Sequence, residues 1–289
     1  MAQKAKTVHV ICGPTAVGKT SYSIALAKQL GTEVISADSR QLYREIPIGT
    51  AQPSNDELAA VKHHFIASRS VIDDYNAGMF GEDVLELLKL LFKQYDDVVV
   101  CGGTGLYIKA VVDGFDDLPK ANPEIRKQIE IGFEEGGLKY LQTELRRLDP
   151  VYLSKTDLSN KQRLMRALEV CLVSEKPYSE LRTGVSAKRD FNVKMIGLSM
   201  SREKLNERIN QRVNQMMMDG LLKEVKAVLH LKETNALQTL GYRELFDFLE
   251  DKCSLEAALE KIKTNTRRFA KRQMTWFRRD ERIEWIELQ

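Results

Sequence analysis

Thr7-Val-His-Val-Ile-Cys12 runs straight into Gly13-Pro14-Thr15-Ala16-Val17-Gly18-Lys19-Thr20, and that junction decides the fold class. The first six residues are mostly β-branched and apolar, which predicts a buried strand. The next eight satisfy G-x-x-x-x-G-K-[ST] in full. The glycines let the backbone wrap a phosphate with several N–H groups aimed at it, and Lys19 adds a point charge for the terminal oxygens. The Thr20 hydroxyl suits Mg²⁺, the expected cofactor. From Ser21 to Leu30 apolar residues recur at helical spacing until Gly31 stops them, so a helix adds its positive N-terminal end to the same place. By average composition such a match arises in on the order of one random chain in a hundred. A plain glycine-rich turn would need neither Lys19 nor Thr20.

Outward from that loop, Glu33–Ala37 predicts a second strand. Val98–Cys101 predicts a third, ending in Gly102-Gly103-Thr104-Gly105 and preceded by a helical stretch from Phe80 to Tyr95. Strands alternating with helices argue for a parallel sheet covered on both faces. From Pro119 to Arg189 the spacing is helical, with starts at Asn122-Pro123 and Asn160. A strand returns over Phe191–Met200. A last long helix begins near Ser254, with Leu255, Leu259, Ile262, Phe269 and Phe277 as its apolar stripe. The expected architecture is α/β: a P-loop NTPase-like parallel sheet with helices on both faces, plus an all-helical insertion. Residues 1–118 would form the core, 119–190 the insertion, and 191–289 the return to the core with basic C-terminal helices.

Composition sets the outer bounds. At 289 residues, 43% hydrophobic and 29% charged, the chain is neither disordered nor a disulfide scaffold. No apolar run approaches the ~18 residues of a membrane span, and the five-residue apolar run at the N-terminus is too short for a secretory signal. Four scattered cysteines form no C-x-x-C pair, so a reducing, cytoplasmic setting is expected. The net charge of +3 hides an asymmetry, because Lys261–Arg282 holds nine basic residues and two acidic ones. That segment is either a solvated helix face or a surface for a polyanion.

Several residues are candidates for chemistry around the loop. Asp38 follows the second strand directly, where open α/β sheets bind ligands, so it reads as a metal ligand, a general base or a turn cap. Thr104 sits in a loop whose glycines permit close approach to a ligand, or simply a tight turn. An ATPase would want an acid at the end of the third strand; Gly-Gly-Thr stands there instead, which leaves room for a different diphosphate ester. His63-His64 is read as structural, since adjacent side chains diverge, and Met216–Met218 as core packing. Arg212 reaches an anion if it faces the crevice and otherwise makes a surface ion pair. Lys161, Arg163 and Arg166 put basic groups on the insertion.

Taken together the motifs resemble the tRNA dimethylallyltransferase (tRNA isopentenyltransferase) family nearly end to end. The matching stretches include GPTAVGKT at 13–20, DSRQLYREIPIGTAQP at 38–53, GGTGLYIKA at 102–110, NPEIR at 122–126, NKQRLMRALEV at 160–170, QRVNQMMMDGLLKEV at 211–225, LGYRE at 240–244 and TRRFAKRQMTWFR at 266–278. The phosphate loop is shared with many unrelated enzymes; the combination of the others is specific.

The resemblance implies transfer of a dimethylallyl group from dimethylallyl diphosphate to the exocyclic N6 of the adenosine 3′ of the tRNA anticodon, with diphosphate released. It implies that residues 13–20 hold the diphosphate, that Asp38 takes the amine proton, and that Thr104, Arg126 and Arg212 complete the catalytic set. Ser39, Arg40, Gln41, Gln162, Arg163, Leu164, Met165, Arg166 and Arg272, with Asp38, Thr104 and Arg126, would contact tRNA. A monomer without membrane attachment is expected. The chain departs from the family at His63-His64-Phe65-Ile66-Ala67, where an Asp is common, and lacks the zinc finger of eukaryotic relatives, which suggests a bacterial form. Three rivals remain at this stage: a P-loop kinase binding ATP, a sibling that prenylates free adenine nucleotides, and an RNA-binding protein with a nucleotide switch.

Overall fold

A computed structural model describes residues 5–289; the first four residues of the N-terminal stretch examined for a signal lie outside it. Among the described residues there are six strands, β1 (Thr7–Cys12), β2 (Val34–Ser36), β3 (His63–His64), β4 (Asp97–Cys101), β5 (Asn192–Ser199) and β6 (Ile283–Glu287). They form one parallel sheet in the order β3-β2-β4-β1-β5-β6. The four longer apolar stretches read from the sequence are all strands. The sequence reading lacked β3 and β6. The first is two residues long, too short for length or alternation to mark it, and the second closes an edge beside β5 with only Ile283 buried, so its five residues show no apolar run.

The strands alternate their side chains between two apolar layers. Val8, Val10, Cys12, Val98 and Val100 pack in one layer with Phe80, Val84 and Leu88 of the helix Ala77–Leu91 and with the buried side of Leu255–Phe277. Ile11, Val34 and Val99 pack in the other with Ile24 and Ala27 of the helix Lys19–Leu30. These strands are buried on both faces, which is why their sequences are continuous apolar runs. Among the described residues, no helix is long and apolar enough to cross a membrane.

The chain divides into two compact units. One comprises Met1–Val112 with Arg189–Gln289, the other Asp113–Lys188. The second unit is all-helical, built chiefly on Pro123–Leu148 and Lys161–Ser174, with Asn122 and Asn160 as N-caps. It begins at Asp113 where the change in periodicity suggested 119, because its entry and exit segments pair with each other. Asp116 accepts hydrogen bonds from Thr183 Oγ1 (2.7 Å) and Gly184 N (2.8 Å), and Ala187 N donates to Asp113 O. It ends at Lys188, two residues before the expected 190, since Arg189 donates to the carbonyls of Ala110 and Val112 in the first unit.

His63 and His64 are structural, as expected. His64 Nε2 lies 2.5 Å from Glu33 Oε2, and His63 Nδ1 lies 2.7 Å from Val61 O. Met216 and Met217 pack on the core, whereas Met218 is exposed.

Candidate active site

The carboxyl ends of β1, β2 and β4 each deliver a loop to one crevice of about 490 Å³. From β1 comes the phosphate loop, from β2 Asp38 and Ser39, and from β4 Gly103 and Thr104. The loops approach as closely as backbone allows. A Cβ at Gly102 would stand 2.1 Å from the Ala37 carbonyl oxygen, and one at Gly13 would stand 2.5 Å from the Leu198 carbonyl oxygen. Gly13 has φ of 141°, and Ala16 takes the left-handed region at φ 66° although it carries a side chain. Such a conformation costs of order 1–3 kcal/mol and is typical of loops that cradle ligands.

Lys19 opens the helix after the loop and donates from Nζ to Pro14 O at 2.8 Å. Burial lowers its pKa; Cys101 and Asp38 pull it back up, and Arg212 lowers it further. A lysine short of both water and a full counter-charge favours an incoming anion. Thr20 uses its carbonyl to accept from Ser23 Oγ, and among the described residues its hydroxyl has no protein partner.

Arg212 stands on the helix Arg202–Met218 and turns into the crevice, donating from Nη1 to Thr15 Oγ1 at 3.1 Å. The alternative of a surface ion pair does not hold. Burial lowers its pKa, and the nearby Arg208 lowers it further. Two desolvated cations therefore flank the loop.

Asp38 plays the capping role and keeps capacity to spare. Its Oδ1 accepts from Arg40 N (2.9 Å) and Gln41 N (3.4 Å), while Oδ2 has no protein partner among the described residues. The Thr104 hydroxyl accepts from Ser39 N (3.0 Å) and donates to Ser39 Oγ (3.3 Å), so it ties the β4 loop to the β2 loop. Arg40 and Gln41 brace the wall. Arg40 donates to the carbonyls of Asn235 and Ala236, and Gln41 donates to Ala51 O while accepting from Ser36 Oγ.

The remaining wall is apolar, made of Val213, Met216, Leu221, Leu240, Ile262 and Phe269, with exposed Arg272 and Trp276 also lining the crevice. The Arg272 guanidinium lies 5.8 Å from the Phe269 ring centroid.

Arg126 and the 162–166 run belong to the second unit. Arg126 is held by Glu130 (3.2 Å), Gln162 (3.2 Å) and Glu169 (3.8 Å), and Arg166 by Glu169 and Pro119 O. Gln162 and Arg163 are exposed. Leu164 and Met165 correct the expectation that the whole run touches RNA. Both are fully buried in the unit's own core, so their side chains support that helix from beneath.

Gln273 was not singled out from the sequence. It is buried, accepts from Thr15 N (2.8 Å) and donates to Gly103 O (2.9 Å). The signal was present. On the helix Leu255–Phe277 the buried stripe Ile262, Ala270, Phe277 carries one polar member, and a buried polar residue needs partners.

The family model described as IPP transferase matches residues 41–280. The tRNA dimethylallyltransferase of Christiangramia forsetii is 50% identical over 277 residues, covering 96% of this chain and 92% of that protein. The one from Flavobacterium johnsoniae is 45% identical over 288 residues, covering 98% and 93%. Among solved structures, the full-length tRNA isopentenylpyrophosphate transferase of Bacillus halodurans matches with a TM-score of 0.72 at 36% identity, covering 98% of this chain and 90% of that one. A eukaryotic dimethylallyltransferase acting on tRNA matches with a TM-score of 0.82 at 26% identity, covering 98% and 74%. With a phosphate loop, an aspartate and an arginine meeting beside an apolar wall, this chain belongs to the IPP transferase family, that of the tRNA dimethylallyltransferases.

Proposed function

We propose that this protein transfers the dimethylallyl group of dimethylallyl diphosphate to N6 of the adenosine 3′-adjacent to the anticodon of a tRNA. One observation carries the reading beyond family membership: Arg212 lines a crevice together with Asp38, whose Oδ2 is free to accept a proton, Lys19 lies beside it with Nζ 3.6 Å from where a Cβ on Gly103 would stand, and the crevice has an apolar wall. Burying a five-carbon chain against that wall is worth about 3–4 kcal/mol at ~0.8 kcal/mol per methylene.

In the reaction, the bond between the allylic carbon and the diphosphate oxygen breaks, and its electron pair stays with the oxygen. The loop N–H groups, Lys19 and Arg212 stabilise the charge that grows there. The N6 lone pair forms the new N–C bond, and the N6 proton passes to Asp38 Oδ2. An exocyclic amine is a weak nucleophile, so placement matters as much as proton removal. The acceptor base leaves its loop stack to enter the crevice, which costs less for an unpaired loop base than for a paired one.

The residues fit Mg²⁺. The Thr20 hydroxyl is a hard oxygen, and among the described residues no group of three or more His, Cys, Asp or Glu side chains is arranged for a metal. That donor set suits an ion held chiefly by diphosphate oxygens and water, and the ion would neutralise part of the leaving-group charge. In the helical unit Arg126, Gln162, Arg163 and Arg166 are the proposed tRNA contacts, and in the other unit, taken by itself, Ser39, Arg40, Gln41 and Arg272 are. A cytoplasmic setting fits four free cysteines and a tRNA substrate.

The test is transfer of labelled dimethylallyl diphosphate, with Mg²⁺, to unmodified tRNA in the presence of AMP and ATP. Label fixed at the adenosine beside the anticodon is expected. Label on AMP or ATP alone would mean a nucleotide prenyltransferase. No label, with ATP hydrolysed by folded protein, would mean a kinase or switch.

A further inference from the structure

We propose that Gln273 is a positioning residue for the transfer step, because one buried carboxamide joins the loop that holds the donor to the loop that borders the acceptor. The proposal rests on the prenyl-transfer reading above. Gln273 Oε1 accepts from the backbone N–H of Thr15, in the phosphate loop, at 2.8 Å. Its Nε2 donates to the carbonyl of Gly103, one residue before Thr104, at 2.9 Å. The residue is 7% exposed.

Only an amide serves both ends. One partner is a donor and the other an acceptor, so the orientation of the group is fixed by its partners. Contacts continue on either side. Arg212 binds the Thr15 hydroxyl, and Thr104 binds the Ser39 backbone and hydroxyl next to Asp38. Arg212, Thr15, Gln273, Gly103, Thr104 and Ser39 thus form one run of polar contacts from the leaving-group side to the base. The approach is tight, since a Cβ on Gly103 would meet Gln273 Nε2 at 2.4 Å. The helix Leu255–Phe277 supplies this amide from its buried stripe, so its packing sets the separation of the two loops.

Gln273 itself need not touch either substrate. It fixes the distance that the allylic carbon and N6 must close when the C–O bond breaks and the N–C bond forms. A misplacement of about 1 Å costs on the order of 100-fold in rate.

The experiment compares wild type with Gln273→Glu and Gln273→Met. Glutamate keeps the acceptor for Thr15 and, when ionised, loses the donor for Gly103; methionine keeps the volume and loses both. Labelled dimethylallyl diphosphate, Mg²⁺ and unmodified tRNA are the substrates, and thermal unfolding selects the variants that fold. The expected result is kcat lowered about 10- to 100-fold, more for methionine, with KM for each substrate within about 3-fold. Unchanged kcat in a folded variant, or a loss residing wholly in KM, would overturn the proposal. Amide exchange on the wild type needs no variant. The Thr15 N–H is expected to be protected without substrates, and exchange as fast as in an exposed loop would overturn the bond on which the proposal stands. Wild type in the same assay separates the two failures. If it labels no acceptor, the prenyl-transfer reading fails and takes this proposal with it. If it labels tRNA and the variants keep its kcat, only this proposal fails.

Discussion

Arg212 reaches across from its own helix to donate a hydrogen bond to Thr15 Oγ1, 197 residues away in sequence and inside the phosphate loop. The guanidinium is partly stripped of water, which lowers its pKa, and the second arginine nearby, Arg208, adds to that effect. A cation held in this way gains most when negative charge appears in front of it.

The first prediction follows from that geometry. Arg212→Ala should lower kcat for prenyl transfer by about 100- to 1,000-fold, the range seen when one preorganised donor to a developing oxyanion is removed. Arg212→Lys should recover only part of the loss, since an ammonium lacks the planar fork that spans hydroxyl and diphosphate. Steady-state kinetics with filter binding of tRNA checks this. Weakened tRNA binding with kcat intact would contradict it.

Asp38 carries two duties on two oxygens, and they can be separated. Asp38→Asn keeps an Oδ1 acceptor for Arg40 N and Gln41 N and removes the base. Transfer should fall by about 100- to 10,000-fold, with the melting temperature and tRNA binding close to wild type. Asp38→Ala should lose activity and also about 1 kcal/mol of stability through the lost cap. Equal melting temperatures for the two variants would show that the capping bonds contribute nothing.

Much of this site was legible beforehand because strand ends and glycine loops leave strong local marks. Asp38, Thr104 and Lys19 could each be placed at the carboxyl edge of a sheet from apolar runs that stop at glycine or aspartate. Arg212 could be named but not oriented, because a helix residue's direction depends on packing that periodicity leaves open for a polar position. Leu164 and Met165 failed for the opposite reason: a motif run was read as one surface, although a helix turns about 100° per residue and buries part of any five-residue window. Gln273 was hidden in plain view, since its function lies in two backbone partners that are 258 and 170 residues away.

Glu224 offers a test of how the crevice wall is held. Its two carboxylate oxygens accept from the backbone N–H groups of Ile48 (2.8 Å) and Gly49 (2.9 Å) and from the Tyr242 hydroxyl. Gly49, Thr50 and Ala51 line the crevice, so this one carboxylate fixes a wall segment. Glu224→Ala strands two backbone donors, leaves the Tyr242 hydroxyl only its long bond to Ile46 O (3.4 Å), and should cost about 3 kcal/mol or more, at roughly 1–3 kcal/mol for each buried group left without a partner. Tyr242→Phe should cost less, about 1 kcal/mol, because the backbone bonds survive. Urea unfolding of both variants gives the comparison, and the ordering is the point. A larger loss for Tyr242→Phe would mean that ring packing, and not the carboxylate, holds the segment.

The edge of the sheet supplies a pH test that does not involve the chemistry. Burial raises the pKa of Glu33, but its hydrogen bonds and charge interactions with His64 and Lys62 outweigh that and hold it below the ordinary 4.5. Tyr95 also donates to it. A carboxylate depressed in the folded state stabilises the fold above the unfolded pKa, and that contribution is lost as pH falls through the folded value. Wild type should therefore exceed Glu33→Gln in melting temperature at pH 6, and the gap should begin to close as pH falls past about 4.5. Below the folded pKa the gap should reach its minimum. A gap that stays constant from pH 6 to pH 3 would mean that the Glu33 charge contributes nothing to joining β3 to the sheet.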